Sequence, residues 1–304
     1  MRKMFTYPFN RKNTLAVFLF VALAMSVSAQ AGKTLSDVVN YLQTGKIDSA
    51  KIVIDGLMKD SANRKDAQAN YVNGFVYKEI YKEKEIGNKQ SPARVIALQS
   101  FETSLRIDTS KENRDNNSSN IHFLASKFFN DAATSLDTIH YQTAIADYLQ
   151  YKTASRFIDP NFNSSKEDVN FDLALASVYS QKYVSNKKGN TSYLDLVRKN
   201  YFSVLAIDSN NYSANYNMGI SYFNEAVDMM SSMDFNVDMV AMDQMQDKSV
   251  ALFKQSLPFM EKAYQLKPDR KETIEGLSGI YFSLHDVRKS NEFKEKLEKL
   301  NKTN

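Results

Sequence analysis

The chain of 304 residues contains no cysteine. That excludes disulfides, thiolate metal sites, a cysteine nucleophile and a lipid-modified N-terminal cysteine. Its stability must come from its core alone. Glycine and proline are scarce, at nine and five residues, which argues against a loop-rich sheet protein. The three histidines, His122, His140 and His285, lie far apart and form no HExxH-type pair. There is no nucleophile elbow, phosphate-binding glycine loop or calcium-loop spacing. Gly87-Asn88-Lys89 lacks the first glycine and the hydroxyl partner of a P-loop. Acidic residues are plentiful, but they read as solvated helix faces, and no carboxylate pair stands out. The expectation is a chain that is not an enzyme and carries neither cofactor nor metal.

Net charge is also absent once the N-terminus is set apart. Arg2, Lys3, Arg11 and Lys12 precede an apolar run of 13 residues, Leu15 to Val27. That run is too short to cross a bilayer comfortably. Val27 and Ala29 then supply small residues at the −3 and −1 positions of a cleavage site. This predicts an export signal over residues 1–29, cut after Ala29, with Ala31 as second choice. The alternative is an uncleaved anchor. The segment holds four of the 39 Lys/Arg and none of the 35 Asp/Glu, so the remainder has 35 of each sign. A neutral chain lacks the bulk attraction that drives non-specific nucleic-acid binding. No nucleic-acid partner is expected, and no transmembrane span in the mature chain. The leader predicts an exported bacterial protein, periplasmic or outer-membrane-associated.

What is present is helical and repeats. Leu277, Ser278 and Tyr281 mark one helix, and Ser290 and Leu297 the next. Ala263 to Pro268 closes the hairpin before them. Counterparts recur upstream: Tyr41 and Gly45 with Ala50, Ile54 and Leu57; Gly74 and Tyr77 with Ala97, Phe101 and Ser104; Ala125 and Phe128; Leu175, Ala176 and Tyr179 with Tyr201 and Val204; Met218, Gly219 and Tyr222 with Met260. A small residue on the first helix of each pair lets the second approach, and an aromatic three residues on fills the space beside the contact. Ser36 is positioned to cap the first helix, and Gly45 to end it.

These offsets resemble the tetratricopeptide repeat. The resemblance implies an all-α, right-handed α-solenoid of about six hairpins over residues 30–304. Their approximate bounds are 34–60, 65–107, 119–159, 166–208, 211–267 and 271–301. The first and last hairpins place 13 residues between the first-helix aromatic and the second-helix landmark, Tyr41 to Ile54 and Tyr281 to Lys294. Tyr77 to Phe101 is 24 residues and Tyr179 to Tyr201 is 22. The excess predicts elongated hairpins, with tips near 87–92 and 185–191.

The resemblance also points to the face lined by the first helices as a binding groove. Carried over by offset, its residues include Tyr71, Phe75, Lys78, His122, Phe129, Gln181, Tyr216, Phe223 and Asn224. The lysine positions of the family's carboxylate clamp read Tyr71, His122, Leu173 and Tyr216, so that clamp is missing. Aromatic and amide groups suit an extended peptide, or a sugar ring stacked on Tyr and Phe.

A second candidate patch lies in the fifth hairpin. Tyr222 to Met260 spans 38 residues and holds Met229, Met230, Met233, Met239, Met242 and Met245. They can fill space under a long hairpin or contact a partner adaptably. Their spacing is also compatible with copper(I), but no metal site is assigned. The functional expectation is a protein-binding scaffold or adaptor of the cell envelope, possessing no catalytic residue. The alternative is an exported glycan- or small-ligand-binding protein using the same groove.

Overall fold

The computed structural model describes residues 33–232 and 239–302. The export signal assigned to residues 1–29 and Met233 lie outside the described residues. Among the described residues there is no strand, and thirteen α-helices follow one another. They are α1 (Leu35–Gln43), α2 (Ile47–Leu57), α3 (Ser61–Arg64), α4 (Ala67–Ile80), α5 (Pro92–Ile107), α6 (Arg114–Thr134) and α7 (Tyr141–Ile158). After them come α8 (Ser165–Ser185), α9 (Thr191–Ile207), α10 (Tyr212–Ser231), α11 (Met239–Leu266), α12 (Lys271–Ser283) and α13 (Val287–Lys302). Apart from the single turn α3, they pair as six hairpins: α1/α2, α4/α5, α6/α7, α8/α9, α10/α11 and α12/α13. The hairpins stack in chain order, α2 on α4, α5 on α6, α9 on α10 and α11 on α12. At the remaining junction α7 meets α8 through the stacked rings of Tyr148 and Phe171, 4.0 Å apart and 6° from parallel. Among the described residues this is an all-helical array of six stacked hairpins.

Local chemistry explains the ends of these helices. α1 is capped by Thr34, not by the expected Ser36. The Asp37 carboxylate accepts from the Thr34 N–H at 2.6 Å and from its hydroxyl at 3.1 Å. Ser36 stands one residue inside the helix, where its backbone is already helical. Gly45 ends the hairpin turn with φ +70°, the left-handed conformation that glycine adopts without a Cβ clash.

The small positions on the first helices are close-approach points. A Cβ on Gly74 would stand 2.8 Å from the Phe101 ring. A Cβ on Gly219 would clash with Met260 Cγ. Hydroxyls finish the same contacts: Ser256 donates to the Gly219 carbonyl at 2.7 Å, and Ser104 to that of Ala67 at 2.8 Å.

The inner hairpins are elongated. α1 and α2 have 9 and 11 residues, whereas α8 and α9 have 21 and 17. α4 continues through a π-helical turn, Tyr81–Glu85. The third hairpin is as long, at 21 and 18 residues, a length its ambiguous landmarks concealed. In the fifth hairpin Met229 and Met230 lie at the end of α10, and Met239, Met242 and Met245 in the first turns of α11, which runs 28 residues.

The interior is divided into three hydrophobic cores. The first, around Ile54, Phe101 and Leu124, joins hairpins one to three. The second, around Leu175, Tyr201 and Met218, joins three to five. The third, around Phe253, Met260 and Leu277, closes the C-terminal end. Tyr151 packs against both the first and the second.

Candidate functional site

The first helices form a layer of their own. Lys78 on α4 donates to Asn120 Oδ1 on α6 at 2.8 Å. The Tyr212 hydroxyl on α10 lies 2.8 Å from Thr273 Oγ1 on α12. The Phe223 ring of α10 lies under Gly279 of α12, 3.3 Å from where a Cβ would stand.

The nine candidate groove residues divide into two kinds within this layer. The aromatics are partly buried. Tyr71 lies 6.0 Å from Phe101 and 6.4 Å from Phe75, centroid to centroid, and burial raises its pKa. Phe129 packs 4.8 Å from Tyr151. Tyr216 stacks on Tyr212 at 5.9 Å, and Phe223 meets Phe253 edge-on at 5.6 Å. The polar members His122, Gln181 and Asn224 are exposed. The structure brings Tyr71, Phe75 and Lys78 together on α4, while the aromatics as a set belong to three different cores.

Lys78 is the most perturbed member. Its Nζ sits 3.9 Å over the Phe75 ring and 3.5 Å from Glu79. Burial pulls its pKa down to about 8, with Lys82 pushing the same way and Glu79 opposing. It therefore holds a partly desolvated cation at the joint between α4 and α6. Its partner Asn120 was not anticipated from sequence, because nothing in a polar helix face marks the one amide that meets a lysine 42 residues away.

The methionine patch is mixed. Met230 and Met239 are 49 % and 79 % exposed, beside Val240 at 66 %. Met229, Met242 and Met245 are half-buried. Among the described residues no group of three or more His, Cys, Asp or Glu could hold a metal. No helix among them is long and apolar enough to cross a membrane.

Another cluster escaped sequence reasoning. Arg94 on α5 is 1 % exposed. Its guanidinium lies 3.8 Å over the Phe128 ring and binds Asp131 of α6, the Lys89 carbonyl (2.6 Å) and Asp147 of α7 (3.3 Å). Charged residues within helices read as solvated, so no single-sequence signal marks this one as interior.

No protein-family model matches the chain, and no curated protein matches it. Among solved structures it is similar to the human IFIT1 dimer with m7Gppp-AAAA, at 13% identity and a TM-score of 0.29. It is also similar to a monomeric IFIT1 mutant with Gppp-AAAA, at 14% identity and a TM-score of 0.32. Each match covers 86% of this chain and 58% of the other. The chain thus spans less than two thirds of the length of the solved chains it matches.

Proposed function

We propose that this chain is a non-catalytic scaffold, exported to the bacterial cell envelope, that binds a partner protein along its first-helix face. What supports this reading is that the candidate rings are anchored in the cores while the candidate polar residues are exposed. Tyr71, Phe129, Tyr216 and Phe223 are fixed by core packing, so little side-chain entropy is lost when a partner covers their remaining surface. His122, Gln181 and Asn224 are exposed and can bond an extended backbone. Export and the envelope location rest on the leader pattern alone.

The test uses the exposed members, because alanine at the packed rings would disturb the cores. His122→Ala, Gln181→Ala and Asn224→Ala are combined in one variant, and its fold is checked by circular dichroism. A partner that crosslinks to the parent in its own envelope, and is lost from the folded variant, supports the reading. Capture that is undiminished refutes a site on this face. Fractionation of the native cell tests export separately.

A further inference from the structure

The stack of hairpins has two edges. One carries the turns inside the hairpins, their tips; the other carries the turns that join one hairpin to the next. The tips are tied side by side. Lys84 pairs with Asp48 at the start of α2. Lys89 Nζ donates to Ser135 Oγ at 2.9 Å, and Lys182 Nζ to the Thr138 carbonyl at 3.4 Å. Lys187 pairs with Asp228 near the end of α10. The starts of α10 and α12 meet through Tyr212 and Thr273, so the sixth tip lies on the same edge.

Apolar side chains collect on this edge. Of the fourteen large hydrophobic residues exposed among the described residues, eight lie in the tips or in the two helical residues beside them. Ile86, Ile139 and Val184, on tips two to four, are 56 %, 79 % and 62 % exposed. The fifth tip presents Met230, Met239 and Val240, and the sixth Phe282 and Val287. The opposite edge presents Ile207 alone among the described residues. Exposed hydrophobic residues scattered singly need no explanation. A row confined to one edge, with every tip from the second to the sixth represented, is not scattered.

The spacing indicates what covers it. Neighbouring helices sit about 8–10 Å apart, so these side chains stand as separate points. Each has exposed polar neighbours, such as Asn88, Thr134 and Asn186. A protein partner buries a contiguous apolar core, which separate points do not supply. A lipid surface takes each wedge singly, between its headgroups. Lys46 and Lys188 are exposed in these turns and make no ion pair among the described residues, which suits anionic headgroups. The acid beside Ile139, Asp137, is turned back to accept from the Ile139 and His140 N–H groups, both at 2.7 Å. We propose that the tip edge rests on an anionic lipid bilayer, with the apolar side chains of tips two to six inserted between headgroups. The first-helix face runs along the helices and so stands at right angles to this edge, leaving both open to occupation at once.

The chain has no tryptophan, so Ile139→Trp and Val184→Trp each place a single reporter on the edge, and Ile207→Trp places one opposite. Each full-length variant is titrated with vesicles of phosphatidylethanolamine and phosphatidylglycerol. A retained leader would tether all of them alike, whereas the reporter reads only its own surroundings. The emission of the two tip reporters should shift to the blue and be quenched by brominated acyl chains, and that of Ile207→Trp should not change. Adding Ile86→Ser, Val184→Ser and Val287→Ser to the Ile139→Trp chain should raise the lipid concentration at the midpoint by about tenfold or more. These positions are exposed, and circular dichroism checks the fold. Vesicles of phosphatidylcholine should bind more weakly. Unshifted tip reporters, equal quenching of Ile207→Trp, a midpoint indifferent to the three serines, or equal binding to phosphatidylcholine would each overturn the proposal. So would a blue shift seen with native envelope membranes but not with pure lipid, which would assign the edge to a protein.

Discussion

The terminal hairpins and the four between them solve one packing problem in different ways. In the first and last, the turn is the same to the atom. Lys46 N–H donates to the Tyr41 carbonyl at 2.8 Å and Asp286 N–H to that of Tyr281 at 2.9 Å. One residue earlier, Gly45 and His285 both take positive φ, +70° and +61°. These hairpins are short, and hydroxyls serve where a polar group is buried, as in the Ser278–Ser290 pair. The inner hairpins are longer and join their neighbours through charge, buried at Arg94 with Asp147 and half-buried at Lys152 with Asp168 (2.6 Å) and Arg198 with Glu225 (2.5 Å). Ends need only hold together, and neutral contacts do that at least cost. Ion pairs between neighbours add little net stability but penalise wrong pairings, which matters where several similar hairpins could stack in the wrong order.

The largest test of that contrast is Arg94→Met. It strands the buried Asp147 and removes the partner of the half-buried Asp131, and should cost about 3–5 kcal/mol, read from urea unfolding. A loss below about 1 kcal/mol would remove the distinction between inner and terminal hairpins.

The next effect is smaller and depends on pH. Burial pushes Asp172 of α8 up to about 6, Asp168 adds to it, and Lys152 opposes. A carboxyl raised in the folded state favours folding while protonated. Its contribution is present below the ordinary value of 3.8 and lost as pH rises through about 6. Asp172→Asn cannot ionise. It should raise the melting temperature at pH 7 by the equivalent of about 1 kcal/mol, after discounting for solvent screening of a half-exposed group. The gain should vanish near pH 4. Equal shifts at both pH values would show that the carboxylate is not strained.

The smallest effects lie at the two matched turns. Gly45→Ala meets no atom within 4 Å of its Cβ, so its cost, about 1 kcal/mol, is backbone strain alone. His285→Gly should stabilise by a few tenths of a kcal/mol, because glycine's extra freedom in the unfolded chain offsets most of the relief. If both substitutions destabilise, the turns are alike in geometry only.

The hairpin order, the Gly45 turn and the close-approach glycines were legible because repetition multiplies a weak local signal. The cap was misplaced by two residues, since serine is the better cap in isolation and Thr34 prevails because Asp37, three residues on, completes a capping box with it. Ile54 and Lys294 occupy matching offsets, yet one is buried beneath the next hairpin and the other exposed at the end of the stack. Position in the array, not the repeat, decides that. Arg94 and Asp147 were illegible for a related reason: their burial comes from neighbours 37 and 53 residues away.

The three-way division of the interior has a mechanical consequence. A chain with one continuous core resists tension until it gives way as a whole. Here a pull on the two ends acts on three blocks in series, coupled around Tyr151 where two of them share a side chain. Force should extend the molecule in discrete steps, one for each block that gives way.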